Sequence, residues 1–147
     1  IEDMPAKMQF DIITMFDLIE HVLDPVKLMK SVCEHLTSSG IVVIFTPNFD
    51  SLGIKYMREK SNLILPTGHL TYFTNKSMNC LLEKVDLKLA YFETCGMDIA
   101  DILCYLEAAK EKNKDIISFL TNVEDDLQAV LNKAEAANHM RLIARKK

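Results

Sequence analysis

The sequence predicts an α/β fold organised around a parallel β-sheet, and three neighbouring segments support this prediction. Residues 11–19 (DIITMFDLI) and 41–45 (IVVIF) are apolar and rich in β-branched side chains, which is typical of strands buried on both faces of a sheet. Between them, Asp24 followed by Pro25 is a strong helix start, because a carboxylate caps the helix and proline suits its first position. A strand, helix and strand with short connections form a βαβ unit, whose two strands run parallel.

The remaining elements follow from periodicity and from helix start and stop signals. The helix after Asp24 is expected to stop at Gly40, and residues 49–73 are expected to form an irregular connection of the kind that carries ligand loops. Thr74 can cap the next helix. Further elements are expected as strands at residues 87–93 and 140–144, a helix around residues 99–106, and one longer helix over residues 116–134 with a narrow apolar seam.

Composition narrows the classes of partner. The chain has 147 residues and a net charge of −4, and its only basic cluster is the short tail at residues 145–147, so nucleic acid is not expected as the main ligand. No apolar run reaches membrane-spanning length. The four cysteines lie in apolar stretches without a C-x-x-C pair, which predicts buried, reduced thiols in a cytoplasmic protein.

Several phrases of the sequence, in the right order, resemble class I S-adenosylmethionine-dependent methyltransferases of the small-molecule and sugar type. They are FD…FDLIEHV…DP at residues 10–25, L-x-x-S-G followed by IVVIF and TPN at residues 36–48, HLTYFT at residues 69–74, and the final strand. The resemblance implies one partial domain over residues 1–147, a partial Rossmann-like fold with strands four to seven and flanking helices. The helical insertion at about residues 97–137 lies outside the family's common core.

The resemblance also implies S-adenosylmethionine as the cofactor. The residues it places near that cofactor are Ile1, Met15, Phe16, Asp17 and Glu20. The family's Gly-rich turn lets backbone N–H groups approach the ligand, yet the four glycines here form no G-x-G. The cofactor site is therefore expected to be incomplete. The chain opens at Ile1 without a methionine, so we expect it to be part of a longer protein that binds the cofactor.

Two histidines are candidates for the base that a hydroxyl acceptor needs. His21 lies just past the predicted strand at residues 11–17, at the edge where open α/β sheets bind ligands, and His69 lies on the long connection. The alternative for His21 is a structural histidine bonded to the backbone at a helix start. Glu20 could orient His21 or contact the cofactor, or it could be a solvated turn charge.

Two further residues are candidates for substrate contacts. Asn48 follows the second strand and Tyr72 follows His69, and the alternatives are a turn or cap for Asn48 and a loop anchor for Tyr72. No metal site is expected, because solvated faces explain the acidic pairs at residues 98 and 101 and at residues 125 and 126. His35 and His139 are given no role, the first as a surface helix residue and the second at the start of a strand.

The function these features predict is methyl transfer to a small-molecule acceptor, a hydroxyl of a sugar or another metabolite. The alternatives are a non-catalytic interaction module derived from a truncated methyltransferase, and a different nucleotide-binding α/β protein. Without a neighbouring first strand, residues 11–17 would present an open, apolar sheet edge. We therefore expect either a longer parent chain that covers this edge or a homodimer, formed through the edge or through the helix at residues 116–134.

Overall fold

The computed structural model describes residues 1, 4–5, 7–110 and 112–147. The expected partial domain over residues 1–147 therefore includes four residues that lie outside the described ones: Glu2, Asp3, Ala6 and Glu111. The described chain forms a four-stranded sheet in the order β1-β2-β4-β3. The strand bounds are Phe10–Phe16 for β1, Leu36–Pro47 for β2, Leu87–Cys95 for β3 and His139–Lys146 for β4. Strands β1 and β2 are parallel, and β4 runs antiparallel to both β2 and β3.

The predicted βαβ unit is confirmed, with helix α1 at Pro25–His35 between the two parallel strands. The Asp24 side chain accepts a hydrogen bond from the Lys27 backbone N–H at 2.8 Å, so the capping role of Asp24 is also confirmed. The predicted stop at Gly40 is wrong, because α1 ends at His35 and β2 begins at Leu36. Gly40 instead lies within β2, where a Cβ atom would come within 2.9 Å of the Phe10 carbonyl oxygen.

Strand β1 is far more exposed than the sequence predicts. Ile12 is 61% exposed and Phe16 is 60% exposed, and Met15 is the strand's one buried residue. The prediction of burial on both faces is wrong because β1 lies at the end of the sheet order and therefore has a neighbour on one side only. An apolar groove of about 460 Å³ lies along it, lined in part by Ile1, Ile13 and Leu18.

The connection after β2 holds more structure than expected. Helix α2 spans Leu52–Met57 and begins where the Ser51 side chain accepts from the Ile54 backbone N–H, and a single 3-10 turn follows at Arg58–Lys60. Helix α3 spans Asn75–Lys84 and opens with the predicted Thr74 cap, in a reciprocal capping box with Ser77. The predicted strand after it is confirmed as β3.

Among the described residues, the insertion before β4 contains three helices instead of the two that the sequence predicts. Helix α4 spans Asp98–Ala108, α5 spans Lys114–Asn122 and α6 spans Glu124–Lys133. The single helix predicted over residues 116–134 is wrong, because the chain leaves the helical conformation at Val123. Apolar side chains of α2, α4, α5 and α6 surround a cavity of about 460 Å³.

Asp98 attaches this insertion to the sheet. Its carboxylate is fully buried and accepts from the backbone N–H groups of Gly53 at 2.9 Å and Asn138 at 2.7 Å. The expectation of a solvated acidic face is therefore wrong at Asp98, because this carboxylate satisfies two buried backbone donors.

The main core lies between the sheet, α1 and α3. It contains Leu36, Val42, Ile44, Met78, Leu82, Met140 and Leu142. His35 is 3% exposed, which corrects its assignment as a surface residue.

Cys80 and Cys104 are exposed although buried thiols were predicted, and all four cysteines are free. Among the helices of the described residues, none combines the length and apolar character needed to cross a bilayer.

Candidate functional site

The candidate site lies at the carboxyl ends of the parallel strands β1 and β2. The chain leaves β1 through Asp17, which adopts a left-handed conformation (φ 47°) and donates its backbone N–H to the Phe45 carbonyl at 2.9 Å. A 3-10 turn at Ile19–His21 follows. This abrupt turn brings Glu20 and His21 to the strand ends, the position where open α/β sheets hold ligands.

Glu20 is a buried carboxylate, only 2% exposed. Its Oε2 atom accepts a hydrogen bond from the Thr46 hydroxyl at 2.8 Å, whereas Oε1 is buried and has no hydrogen-bond partner among the described residues. Its backbone carbonyl accepts from the N–H groups of Leu70 and Thr71. A buried carboxylate oxygen without a donor is costly, so Glu20 is not a solvated turn charge.

His21 and His69 meet beside Glu20, although they are far apart in sequence. Their ring centroids are 4.8 Å apart in an edge-to-face arrangement. His21 is on the open side, with its side chain 41% exposed, whereas His69 is 8% exposed. The His21 Nε2 atom lies 3.8 Å from Glu20 Oε1. The structure thus brings together the two histidines and the carboxylate that the sequence singled out.

Backbone carbonyls orient both imidazole rings. His21 Nδ1 lies 2.9 Å from the Gly68 carbonyl oxygen, and His69 Nδ1 lies 2.8 Å from the Leu63 carbonyl oxygen. A carbonyl can only accept, so in each neutral ring Nδ1 carries the hydrogen and Nε2 keeps its lone pair. Both rings therefore offer a basic nitrogen in a fixed tautomer.

Aromatic rings border the cluster on the loop side. The Tyr72 ring lies 6.2 Å from that of His69 and 5.1 Å from that of Phe49. The Tyr72 hydroxyl is buried without a hydrogen-bond partner among the described residues. Tyr72 therefore combines the packing of a loop anchor with a free polar group near the histidines.

Asn48 directly follows β2, and its side chain is hydrogen-bonded to other residues of the chain. It is 1% exposed, its amide donates to the Ala137 carbonyl at 2.9 Å, and its Oδ1 accepts from the Asp50 backbone N–H at 3.1 Å. These bonds join the end of β2 to the segment that precedes β4.

The residues expected near the cofactor are arranged along β1. Met15 is buried in the core and Phe16 is exposed, Asp17 is exposed at the strand end, and Ile1 is partly buried against the core. The structure therefore leaves the Phe16 ring and the Asp17 carboxylate exposed at the end of β1, whereas Ile1 and Met15 line the apolar groove.

Sequence reasoning missed His139. Its ring stacks on Phe45 at a centroid distance of 4.8 Å and an angle of 6°, and its Nδ1 lies 2.9 Å from Asn138 Oδ1. Burial lowers the pKa of His139 below its ordinary value, opposed by the negative charges of Asp17 and Glu20. Only the pairing of β4 with β2 brings His139 here, opposite Pro47, and no local pattern in the sequence predicts that pairing.

Comparisons with known proteins bear on the family and the fold of this chain. A family model described as a methyltransferase domain matches residues 2–92. The mitochondrial ubiquinone biosynthesis O-methyltransferase of Candida albicans is 34% identical over 82 residues, which are 54% of this chain and 24% of that protein. The chain therefore spans about a quarter of the length of this curated relative.

Solved structures share the fold at low sequence identity. The mitomycin 7-O-methyltransferase MmcR matches 95% of this chain and 30% of its own, with a TM-score of 0.56 and 11% identity. A S-adenosylmethionine-dependent methyltransferase from Clostridium acetobutylicum ATCC 824 matches 99% of this chain and 61% of its own, with a TM-score of 0.54 and 10% identity. These matches confirm a Rossmann-like methyltransferase fold, present here in part.

Proposed function

Because this chain belongs to the methyltransferase-domain family, of the class I S-adenosylmethionine-dependent type, we propose that it carries the acceptor side of a methyltransferase site for a small-molecule hydroxyl. The observation that carries the proposal is the cluster of Glu20, His21 and His69 at the ends of two parallel strands. A hydroxyl is a weak nucleophile until it loses its proton, and a nearby imidazole can take that proton.

The two histidines have different parts in this proposal. His21 is the accessible base, since its side chain is 41% exposed and Nε2 lies 3.8 Å from the Glu20 carboxylate. Once His21 has taken the acceptor's proton, its Nε2–H lies near the Glu20 carboxylate, which can accept a hydrogen bond from it. His69 is buried and fixed, so it holds the acceptor oxygen or serves as the second base. Tyr72 is the proposed substrate contact with a free hydroxyl, and Asn48 supports the site by fixing the end of β2.

The proposed cofactor contacts are the backbone and side chains at the end of β1. S-adenosylmethionine, when bound, supplies a methyl group on a positively charged sulfonium. Asp17 and Glu20 bring negative charge to this rim, and Phe16 offers an exposed aromatic face. With Ile1 and Met15 beside the apolar groove, these residues fit one wall of a cofactor cleft. The Gly-rich turn has no counterpart in this sequence, so the proposed cofactor site is incomplete.

The proposed setting is the cytoplasm, with a small molecule as the ligand and neither nucleic acid nor membrane as a partner. The exposed apolar side chains of Ile12 and Phe16 on β1 favour one competing function, a non-catalytic interaction module derived from a methyltransferase. The two functions differ in whether S-adenosylmethionine binds at all once upstream sequence is supplied.

Calorimetry and a methyl-transfer assay test the proposal. S-adenosylmethionine and S-adenosylhomocysteine are titrated into this chain and into one that extends upstream of Ile1. We expect binding to the longer chain, and transfer of an isotopically labelled methyl group to a hydroxyl compound from a metabolite panel. His21→Gln should reduce kcat by about 100-fold or more with little change in cofactor affinity. Failure of both chains to bind either compound would favour the interaction module.

A further inference from the structure

We propose that His139 binds the acceptor by taking a hydrogen bond from a second hydroxyl group, and that residues of the insertion orient its ring for this role. The inference rests on the proposed function and narrows its substrate class to uncharged compounds with at least two hydroxyl groups. His21 and His69 serve the hydroxyl that receives the methyl group. His139 is the first residue of β4 and pairs with Pro47, the last residue of β2, so it lies at the same edge of the sheet.

The His139 side chain leans across the sheet towards the end of β1. Its ring stacks on that of Phe45 in β2, at a centroid distance of 4.8 Å and an angle of 6°. The cross-strand partner of Phe45 on β1 is Phe16, and the Phe45 carbonyl accepts from the Asp17 backbone N–H. Burial lowers the pKa of His139, and the charges of Asp17 and Glu20 oppose this decrease, so both carboxylates lie near the ring.

A chain of two hydrogen bonds fixes the tautomer of this imidazole. The side-chain amide of Asn138 donates to Asp101 Oδ2 at 2.8 Å, and its Oδ1 lies 2.9 Å from His139 Nδ1. Because Asp101 binds the nitrogen end of the amide, the oxygen end faces the ring and can only accept. Nδ1 of the neutral ring therefore carries the hydrogen, and Nε2 keeps its lone pair.

The intervening Asn138 has little freedom to move. It is 4% exposed, and its backbone N–H donates to Asp98 Oδ2 at 2.7 Å. A Cβ atom at Gly96 would overlap the Asn138 side-chain oxygen, so the glycine provides the space that this amide occupies. Asp98 and Asp101 both belong to the first turn of α4. The insertion therefore sets the orientation of an imidazole at the candidate site.

The other ring nitrogen of His139 is available to a ligand. Nε2 is directed away from Asn138 and has no hydrogen-bond partner among the described residues, and the residue is only half-buried. Since burial lowers its pKa below 6.5, the ring is neutral at about pH 7 and Nε2 can accept a hydrogen bond. The negative charges of Asp17 and Glu20 disfavour an anionic ligand. An uncharged hydroxyl group meets both conditions.

Nuclear magnetic resonance of the ¹⁵N-labelled 147-residue chain tests the orientation of the ring without any ligand. Long-range ¹H–¹⁵N spectra at about pH 7.5 should show the His139 hydrogen on Nδ1. Asn138→Ala and Gly96→Ala should each give a mixture of His139 tautomers, because both remove the fixed acceptor. The signals of His35, whose Nδ1 is bonded to the Ser31 carbonyl, should not change. Circular dichroism shows whether each variant is folded, and a hydrogen on Nε2 of the parent chain would overturn the inference.

Methyl-transfer kinetics of the chain that extends upstream of Ile1 test the contact with the acceptor. His139→Phe keeps a ring that can stack on Phe45 but has no Nε2 atom. It should raise the KM of a polyhydroxyl acceptor by about tenfold or more, with little change in kcat or cofactor affinity. His139→Gln offers an amide oxygen and should restore part of the loss. Tyr91→Phe is the control, because this 46% exposed ring lies on β3, and it should keep the parental KM.

Each acceptor that the parent chain methylates is also compared with its analogue lacking one hydroxyl, as catechol is with phenol. The parent should prefer the compound with two hydroxyls by about tenfold or more, and His139→Phe should lose this preference. If methyl transfer occurs but His139→Phe keeps the parental KM, or the parent has no preference, the inference is overturned and the proposed function stands. If the longer chain methylates no compound of the panel, the proposed function fails and the inference fails with it.

Discussion

At the scale of single residues, the buried carboxylate of Asp98 links separate segments of the chain outside the candidate site. Its carboxylate accepts from the backbone of Gly53 in α2 and of Asn138 before β4, and Gly53 lies so close that a Cβ atom there would come within 2.9 Å of Asp98 Oδ1. One side chain therefore joins the start of α4 to α2 and to the residue that precedes β4.

We expect Asp98→Ala to destabilise the protein by about 2–4 kcal/mol, because it leaves two buried backbone donors without acceptors. Urea unfolding followed by circular dichroism measures this loss. Asp115→Ala is the matched control, since Asp115 is an exposed acidic residue in the first turn of α5 and should cost at most about 1 kcal/mol. Equal losses in the two variants would contradict the role given to Asp98.

The burial of His139 predicts that the free energy of unfolding decreases as the pH falls below 6.5. Burial lowers its pKa in the folded protein below the ordinary value of 6.5, so the unfolded chain takes up the proton first as the pH falls. The contribution of His139 to the free energy of unfolding is therefore complete above pH 6.5 and is lost as the pH falls towards the folded-state pKa. It changes by at most about 1.4 kcal/mol per pH unit.

The measurement is the free energy of unfolding of the parent chain and of His139→Gln between about pH 8 and pH 5. The difference between the two proteins should shrink as the pH falls, because proton uptake by His139 in the unfolded state favours unfolding of the parent chain and His139→Gln has no such group. A difference that stays constant over this range would show that His139 titrates as in the unfolded chain.

At the scale of secondary structure elements, the start of β2 depends on a close approach between strands. The pairing of β1 and β2 shifts register between Phe10–Leu36 and Ile12–Ile41, so residues 37–40 are accommodated as a bulge. Gly40 closes this bulge, and a Cβ atom there would lie 2.9 Å from the Phe10 carbonyl and 3.0 Å from the Thr37 nitrogen.

We therefore expect Gly40→Ala to destabilise the protein by about 1–3 kcal/mol through overpacking against backbone atoms that cannot move away independently. Thermal and urea unfolding give the value. At Gly68 an added Cβ would be 3.8 Å from its nearest neighbour, so Gly68→Ala should change stability by no more than about 0.5 kcal/mol. The opposite ranking of the two variants would refute this account of Gly40.

At the scale of the whole molecule, the exposed edge of β1 is the dominant feature. The strand has one hydrogen-bonded neighbour among the described residues, and Ile12 and Phe16 are about three-fifths exposed. Edges of this kind pair readily with other strands. The second apolar surface lies on α5, where Phe119 is 60% exposed.

We expect the 147-residue chain to self-associate through β1, and light scattering coupled to size-exclusion chromatography measures this. Ile12→Lys should weaken self-association by about tenfold or more, because a charged side chain disfavours edge pairing. Phe119→Lys is matched in exposure and distinguishes the two surfaces. A stable monomer of the parent chain would contradict the prediction, and an effect confined to Phe119→Lys would shift the interface to the insertion helices.

The sequence by itself determined the parallel strand–helix–strand unit, the Asp24 and Thr74 helix caps, the last strand and the family resemblance, because these depend on local spacing and composition. It also singled out Glu20, His21 and His69, since each lies next to a predicted strand end or on the long connection. Local patterns sufficed there because helix caps and strand ends are set by residues within a few positions of each other.

Only the tertiary structure decided which of these residues meet. The 48-residue separation between His21 and His69 is closed by two contacts: the Glu20 carbonyl accepts from the backbone N–H groups of the segment after His69, and the Gly68 carbonyl accepts from His21 Nδ1. The stacking of His139 on Phe45 depends on the β2–β4 register. Burial of Asp98 and exposure of β1 likewise depend on which elements pack against them. These properties arise from packing between segments that are distant in the sequence. The sequence alone does not determine them, because the same local pattern fits both a buried and an exposed environment.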